Sequence, residues 1–578
     1  MPHLNRAEFF DKFIPSKNTP VIIKTYDASQ DELVKKYGNK SLPLQVKKSR
    51  STLSPYAGPW GEKQKVHVLR RLTVGVKNTH YNALASLTPS QAIDVLLNTS
   101  NPSPLLPINY YQNLQADNQS IAYGQTWVGA PYNNDGTVNY YRYLSVRTAW
   151  FHNILNQPMS IEEKMIAFWH NHFATQYAMV GDARLFHEYV LLLRQHALGN
   201  FKTFVKDITK NGMMLIYLNG AWNNQWSPDE NYARELQELF TLGKGPNMYT
   251  ENDIKLAAKV LTGFRLDTNT SYNYFYDSSW HDTSNKVFSS FYNSTTIVGQ
   301  SGAAGETELD ALLTMIFAKT NIVAKFICRK IYRFFMHYDI DSDIETNIIT
   351  PLAQTFISSN WEIKPVLEQL FKSYHFFDPL SMDSVIRNPM DFYLGFMNTA
   401  HVEFPATTSY EDYHWSLSTM GYLMDGLAMS IGDPPSVSGW TAYYQTPQFH
   451  QLWINSDSIT KRMSYIDNLA NAWGQWATPT ITVRSNVIAF AQDCSSPGDP
   501  DILLDFFLSR LLSFTLSTTS KTTLKSVLLS GQTSNYYWTQ AWINYINDPS
   551  DPTKEGIVLS RLRALLTLIC RTAEHQIA

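Results

Sequence analysis

Cysteine is nearly missing, with three residues in 578: Cys328, Cys494 and Cys570. They lie far apart and make no CxxC or CxxCH, so a disulfide framework, a zinc ribbon and a c-type haem site are excluded. Cys328 and Cys570 fall in apolar helical patterns and read as core. Charge is scarce too: Asp, Glu, Lys and Arg make up 17% of the chain and the formal net charge is −3. A nucleic-acid footprint needs a basic face or stripe, and none is present. The local basic run "VKKSR" (46–50) is short, sits in a Ser/Pro-rich loop and reads as solvated. No window of about 18 uninterrupted apolar residues offers a membrane span. The opening stretch "MPHLNRAEFFDKFIPSKN" has no apolar run fit for a signal peptide, which points to the cytoplasm or to export with a partner. HExxH, the Walker A loop, GxSxG and the dinucleotide GxGxxG are all missing, which removes the commonest motif-defined enzymes.

What is present is helix. With 44% hydrophobic residues, the chain can bury a large core. "HVLRRLTVGVKN" (67–78) predicts a helix ending near Gly75, and "TPSQAIDVLLN" (88–98) one opened by Thr88 and Pro89. Residues 99–142 read as loop, and 143–265 as strongly helical. Ser160 and Glu163 are spaced as a capping box. Ser227, Pro228, Glu230 and Gly243 punctuate a second helix, and Thr250, Asp253 and Gly263 a third. Residues 266–305 read as a long loop, "DPPSVSGW" (433–440) as a sharp break, and 500–578 as three more helices. Period-2 strand signals are scarce. The expected fold is all-α: a large multi-helix domain with long irregular loop insertions. Its expected layout is an N-terminal extension over 1–60, a main domain over 61–465 and a C-terminal helical segment over 466–578 packed on it.

Three groups of polar residues could carry chemistry. In "FWHNHFAT" (168–175), His170 and His172 flank Asn171 inside an apolar helix. On a regular helix the two imidazoles stand about 200° apart, so both face one site only if the helix is ending there. In the next helix Asn231, Glu235 and Glu238 fall within about 60° of one another, at the edge of an apolar arc, with Arg234 placed to pair with Glu238. The loop "WHDTSNK" (280–286) adds His281, Asp282 and Lys286.

The stretches "KMIAFWHNHFAT", "DENYARELQELFTLG" and "YTENDIKLAAKVLTGF" follow in fixed order. "HVLRRLTVG" lies upstream; "HDTSNKVF", "AKFICRKIYRFF", "IRNPMDF" and "GDPPSVSGWTAYYQTPQFHQLWINSDSITKR" lie downstream. Over residues 60–465 the chain resembles the bacterial family called domain of unknown function 1800, with insertions like those of its Bacteroidetes branch. The resemblance marks His170, Asn171, His172, Asn231, Arg234, Glu235, Glu238, His281 and Asp282 as motif positions, with Pro435, Gly439 and Trp440 forming a turn that places the tryptophan. It assigns no reaction. It implies a partner, because such proteins are often encoded beside an exported family similar to sulfatases and alkaline phosphatases. Phe240 stands where many relatives carry histidine.

Two functions fit these residues. One is a metal-dependent hydrolase acting on an envelope or extracellular substrate. His170, His172, Glu238, His281 and Asp282 would hold a divalent zinc, manganese or iron ion, and Glu235, Arg234 and Asn231 would do the catalytic work. The other is a non-catalytic helical partner or scaffold for the phosphatase- or sulfatase-like protein. Its polar motifs would form a buried hydrogen-bond network that fixes helix packing.

Overall fold

Helix signals and punctuation account for most of the architecture. The computed structural model describes residues 49–578, apart from 50, 132, 268–271, 472–473, 479–480 and 514. The expected extension over 1–60, with most of "VKKSR", falls largely outside the described residues. The helices that position the site are α1 (Glu62–Leu72), α2 (Gly136–Asn156), α3 (Glu162–His172), α4 (Ala183–Gln195), α5 (Asn231–Glu235), α6 (Glu251–Val260), α7 (Thr320–Phe335), α8 (Ser456–Ala470), α9 (Pro500–Leu511) and α10 (Pro552–Cys570). α2 packs on α4, and α4 on α3. In sequence terms the tail is remote from α1, yet α9 packs on α1 and α10 on α8, and α8 runs through the expected boundary at 465. Residues 49–578 form one unit.

Several punctuation marks act as read. Thr88 and Gln91 make a reciprocal capping box ahead of a helix with proline in its first turn, and Thr250 and Asp253 make another at α6. Gly75, Gly243 and Gly263 take positive φ just past helix ends. Two expected caps form otherwise: Ser160 Oγ accepts the Glu162 N–H at 3.1 Å but gets no reciprocal bond from Glu163, and Ser227 does not cap its helix. α3 starts at Glu162 with no side-chain cap on Ile161, because Glu163 is drawn into the core. There it accepts from Arg194 Nη2 at 2.6 Å and Trp150 Nε1 at 3.1 Å. Likewise α5 starts at Asn231, where Asp229, not Ser227, accepts the first free amide at 2.8 Å.

Other differences are of extent. The stretch expected as loop to 142 is already helix from Gly136, capped by Asp135. The region expected as one loop over 266–305 contains two short antiparallel pairs. One is β1 (Phe264–Leu266) with β2 (Tyr274–Tyr276); the other joins Lys286–Val287 to Thr296–Ile297. Strands of two or three residues carry no alternation to read. The tail holds four helices from Pro500 to Cys570, not three. Among the described residues no single helix is long and apolar enough to cross a membrane. The pair Gly302–Phe317 and Thr320–Phe335 passes only in combination and is bent by 83°.

Candidate functional site

α3 carries the histidines into the core and ends on them; its cap residue is Phe173. As the helical projection requires, the two rings leave in different directions. His170 packs edge-on to Trp440, at 5.4 Å between centroids, and His172 faces Phe240 at 6.0 Å. The partners fix both tautomers. The Gly432 N–H donates to His170 Nε2 at 3.0 Å, so Nδ1 carries the proton and donates to the Tyr189 hydroxyl at 3.0 Å. Tyr189 in turn donates to the Phe173 carbonyl at 2.8 Å. On His172, Nε2–H donates to the Phe240 carbonyl at 3.1 Å, and Nδ1 accepts from Lys330 Nζ at 3.0 Å. Lys330 also donates to the Leu239 carbonyl at 2.9 Å. Burial pushes His170 down to about 3. Burial, then the Lys330 charge, hold His172 well below its usual range. Both rings are neutral. Burial lowers Lys330 itself to about 7.

Asn171 explains the glycine and tryptophan of "SGW". Its Oδ1 accepts the Trp440 N–H at 2.8 Å. Gly439 has φ +86°, and a Cβ there would stand 2.3 Å from the Asn171 carbonyl oxygen. Only glycine allows this approach, and Trp440 is fully buried behind it. Segment 432–440 is thus clamped to the end of α3 through His170 and Asn171.

The acids of α5 lie elsewhere. Past Glu235 the helix widens into a π turn, Leu236–Thr241. Glu238 still stands close enough to Glu235 to act on its carboxyl. Arg234 reaches Glu238 at 3.5 Å, but its closest pair is bidentate with Glu251 of α6, at 2.9 and 2.6 Å. That bond, then Glu251's charge, raises its pKa. Glu235 is half-buried, and burial followed by Glu238 raises its carboxyl. Asn231 begins the helix through its backbone amide. The side chain of Phe240 is core, and its carbonyl serves His172.

His281 is buried with a carboxylate that sequence spacing did not reveal. Its Nε2 meets Glu308 Oε1 at 3.0 Å, and Lys286 Nζ donates to Glu308 Oε2 at 2.7 Å. Nδ1 faces the Thr262 carbonyl at 3.0 Å. Burial would raise Glu308, but His281, Lys286 and the Gln300 amide outweigh it and hold the carboxyl low. Asp282 turns to Lys259 at 3.3 Å and caps the Ser284 amide at 2.8 Å.

The expected convergence is therefore not met. His170 and His172 bond to groups other than Glu235 and Glu238, and His281 bonds to Glu308. Among the described residues no group of three or more His, Cys, Asp or Glu side chains is placed to hold a metal ion. The residues proposed as ligands for zinc, manganese or iron do not form a site that fits one.

The family model for a protein of unknown function, DUF1800, matches residues 67–577. The chain belongs to the DUF1800 family. The match extends past residue 465 through the C-terminal helices. No curated protein and no solved structure matched the chain.

In this DUF1800 chain the stretches that carry the resemblance meet at a second place, which sequence reading missed. Arg70 and Arg71 come from "HVLRRLTVG", Lys164 from "KMIAFWHNHFAT", Arg333 from "AKFICRKIYRFF" and Arg387 from "IRNPMDF"; with Asp391 they line one cavity of about 40 Å³. A smaller cavity of about 10 Å³ shares Arg70, Arg387 and Asp391 as walls and adds Arg510 and His575. Arg462, of "SITKR", lies behind, donating to the Arg387 carbonyl at 2.7 Å. Burial pushes Arg71 and Arg387 down to about 10, and burial with Arg387's charge takes Arg462 to about 9. The sequence signal in α1 is faint: Val66, Val68, Leu69 and Leu72 surround the two arginines, and in the fold every residue from Val66 to Leu72 is buried, which leaves the last-turn arginines no solvent face.

Proposed function

We propose that this chain acts by binding, as a rigid helical scaffold for a partner protein of the sulfatase- or alkaline-phosphatase-like kind, and not as a metal-dependent hydrolase. The observation that carries the reading is the state of the "HNH" turn. Both nitrogens of each imidazole and the Asn171 oxygen are spent on groups of the chain itself, so the motif holds α3 to segment 432–440 and to α7. Imidazoles engaged on both nitrogens fix packing and leave no ring nitrogen for a metal or a substrate.

A surface for the partner is available near the β1–β2 hairpin. Trp222 and Trp226 are 50% and 71% exposed, and Phe275 is 40% exposed. The Arg265 guanidinium stacks on Trp280 at 3.5 Å, and Gln225 ties the two loops, its backbone N–H donating to the Trp280 carbonyl and its side-chain amide to the Ser279 carbonyl, each at 2.8 Å. Tryptophan and arginine are the residues that dominate interface energies. The test is co-expression with the partner and measurement of complex mass by light scattering, alongside elemental analysis of untagged protein. The expected result is a defined complex weakened about 30-fold by Trp226→Ala, a typical cost for an interface anchor. Near-stoichiometric metal that is lost in His172→Ala of normal fold would overturn the reading in favour of the hydrolase.

A further inference from the structure

The arginine cluster has more positive charge than the chain supplies counter-charge for. Six cations line the two joined walls: Arg70, Arg71, Lys164, Arg333, Arg387 and Arg510. Asp391 is the one side-chain carboxylate lining them, and it is already paired with Lys164; the last residue, Ala578, lines both cavities as well, and its main-chain oxygen accepts from Arg71 Nη2 at 2.7 Å. Glu62 pairs with Arg510 from outside at 2.6 Å, and Asp383 stands near Arg70, Arg71 and Arg387.

Much of the remaining demand for hydrogen bonds is met by neutral oxygens. Besides Ala578, Arg71 donates to the carbonyls of Phe335 and Ser381 at 3.3 and 3.0 Å and to the Ser384 hydroxyl at 3.1 Å, and Arg387 donates to the carbonyls of Ile577 and Leu511 at 3.2 Å each. Carbonyls satisfy donors but cancel no charge, and a buried cation without a counter-ion is expensive. Arginine does not escape by losing its proton. The cluster also keeps donors in hand. Among the described residues, Nε of Arg71, Arg462 and Arg510 has no partner. His575 is fully buried, lines the smaller cavity and has no partner on either ring nitrogen; its approach to the Cys570 backbone falls outside hydrogen-bond geometry. Burial, then Arg387, Arg70 and Arg462, hold it well below its usual pKa.

The larger cavity, at about 40 Å³, is roughly three times the space one ordered water needs. Its outer wall is half-buried and aromatic: Tyr338 stacks on His450 at 4.5 Å, and Arg333 lies over Phe449 at 5.3 Å.

We propose that this cavity binds a tetrahedral oxyanion, the phosphate or sulfate group of a small molecule, between Arg71 and Arg387 on the inner side and Arg333 at the mouth. Guanidinium forks match such oxygens in pairs, and the small volume admits the anionic group while leaving any organic remainder against the aromatic wall. The site is independent of the "HNH" network and of the partner reading.

The test is calorimetric titration of the full chain with inorganic phosphate and with sulfate, at constant ionic strength against chloride and acetate. Saturable binding of one phosphate or sulfate per chain is expected, with no comparable signal from chloride or acetate. Arg333→Gln, at a half-buried position that leaves the core intact, is expected to weaken it about ten-fold, the loss of one charge-assisted bond. The ring signals of His575 should move during the titration, which a purely structural role would not cause. Equal responses to all four salts, or an unchanged affinity in Arg333→Gln, overturn the proposal. A 4-nitrophenyl ester of either acid that binds more tightly than the free ion shows that the group arrives on a larger molecule; equal affinity shows that the free ion is the ligand.

Discussion

The "HNH" turn and the arginine cluster are both buried, polar and drawn from the family's motif stretches, yet they are finished differently. At the turn every imidazole nitrogen has a partner, both imidazoles are neutral, and the tautomers follow from the hydrogen bonds; the one ring nitrogen left over there is Trp440 Nε1, with no cavity-lining cation beside it. At the cluster, cations outnumber carboxylates, arginine and histidine nitrogens are left over, and a cavity runs beside them. A saturated polar group is part of the packing. An unsaturated one next to a void implies a guest. Burial alone does not separate structural from functional polar residues; completeness does.

The sharpest way to break this comparison is to remove one carboxylate from the cluster and one from a saturated buried group, that of His281. Asp391→Ala takes away the acid that pairs Lys164, and Glu308→Ala the acid that pairs Lys286 and His281. Each is expected to cost about 3–5 kcal/mol in urea unfolding, because a buried lysine is left without its partner. Sulfate should restore part of the loss in Asp391→Ala and none in Glu308→Ala. Equal restoration, or none in either, removes the distinction between the regions.

Next in size is His170→Ala. It strands the Gly432 amide, takes the incoming bond from the Tyr189 hydroxyl and opens a hole beside Trp440, so about 3 kcal/mol is expected in the same measurement. The far-UV spectrum should remain helical, since α3 keeps its backbone ladder.

Such energetics were only partly legible in the sequence. The capping box at Thr250 and the divergence of His170 from His172 followed from local spacing alone. Local rules failed where tertiary demand overrode them. Glu163 abandoned its expected cap for Arg194 and Trp150. The π turn after Glu235 had no local signal, and Arg234 gave its closest pair to Glu251 of the next helix. Glu308 reached His281 across an intervening hairpin. The arginine cluster was least legible, because its members span residues 70 to 510 and each, read singly, passes for a solvated helix residue.

The pH dependence sharpens the neutral half of the comparison. His170 titrates at about 3 in the folded chain, below its ordinary unfolded value. As pH falls, the unfolded chain takes the proton first, so the histidine's contribution is complete above about 6.5 and is lost progressively toward 3. The slope is about 1.4 kcal/mol per pH unit for each such histidine. Unfolding curves between pH 4 and 6 should therefore be flatter in His170→Gln by about one proton's worth of slope. An unchanged slope would mean that His170 is already protonated in the fold.

The smallest effect is expected at Arg234, although sequence reading placed it among the catalytic residues. Its partners Glu230, Glu238 and Glu251 surround it, but Arg234 is 30% exposed and Glu251 70% exposed. Solvent screens such a pair, and its geometry is the only favourable feature. Arg234→Ala should change stability by no more than about 1 kcal/mol, and less in high salt, with the partner complex retained. A larger loss of stability would place α5 and its π turn in the saturated core network. Loss of the complex with stability intact would instead extend the binding surface from the tryptophans to α5.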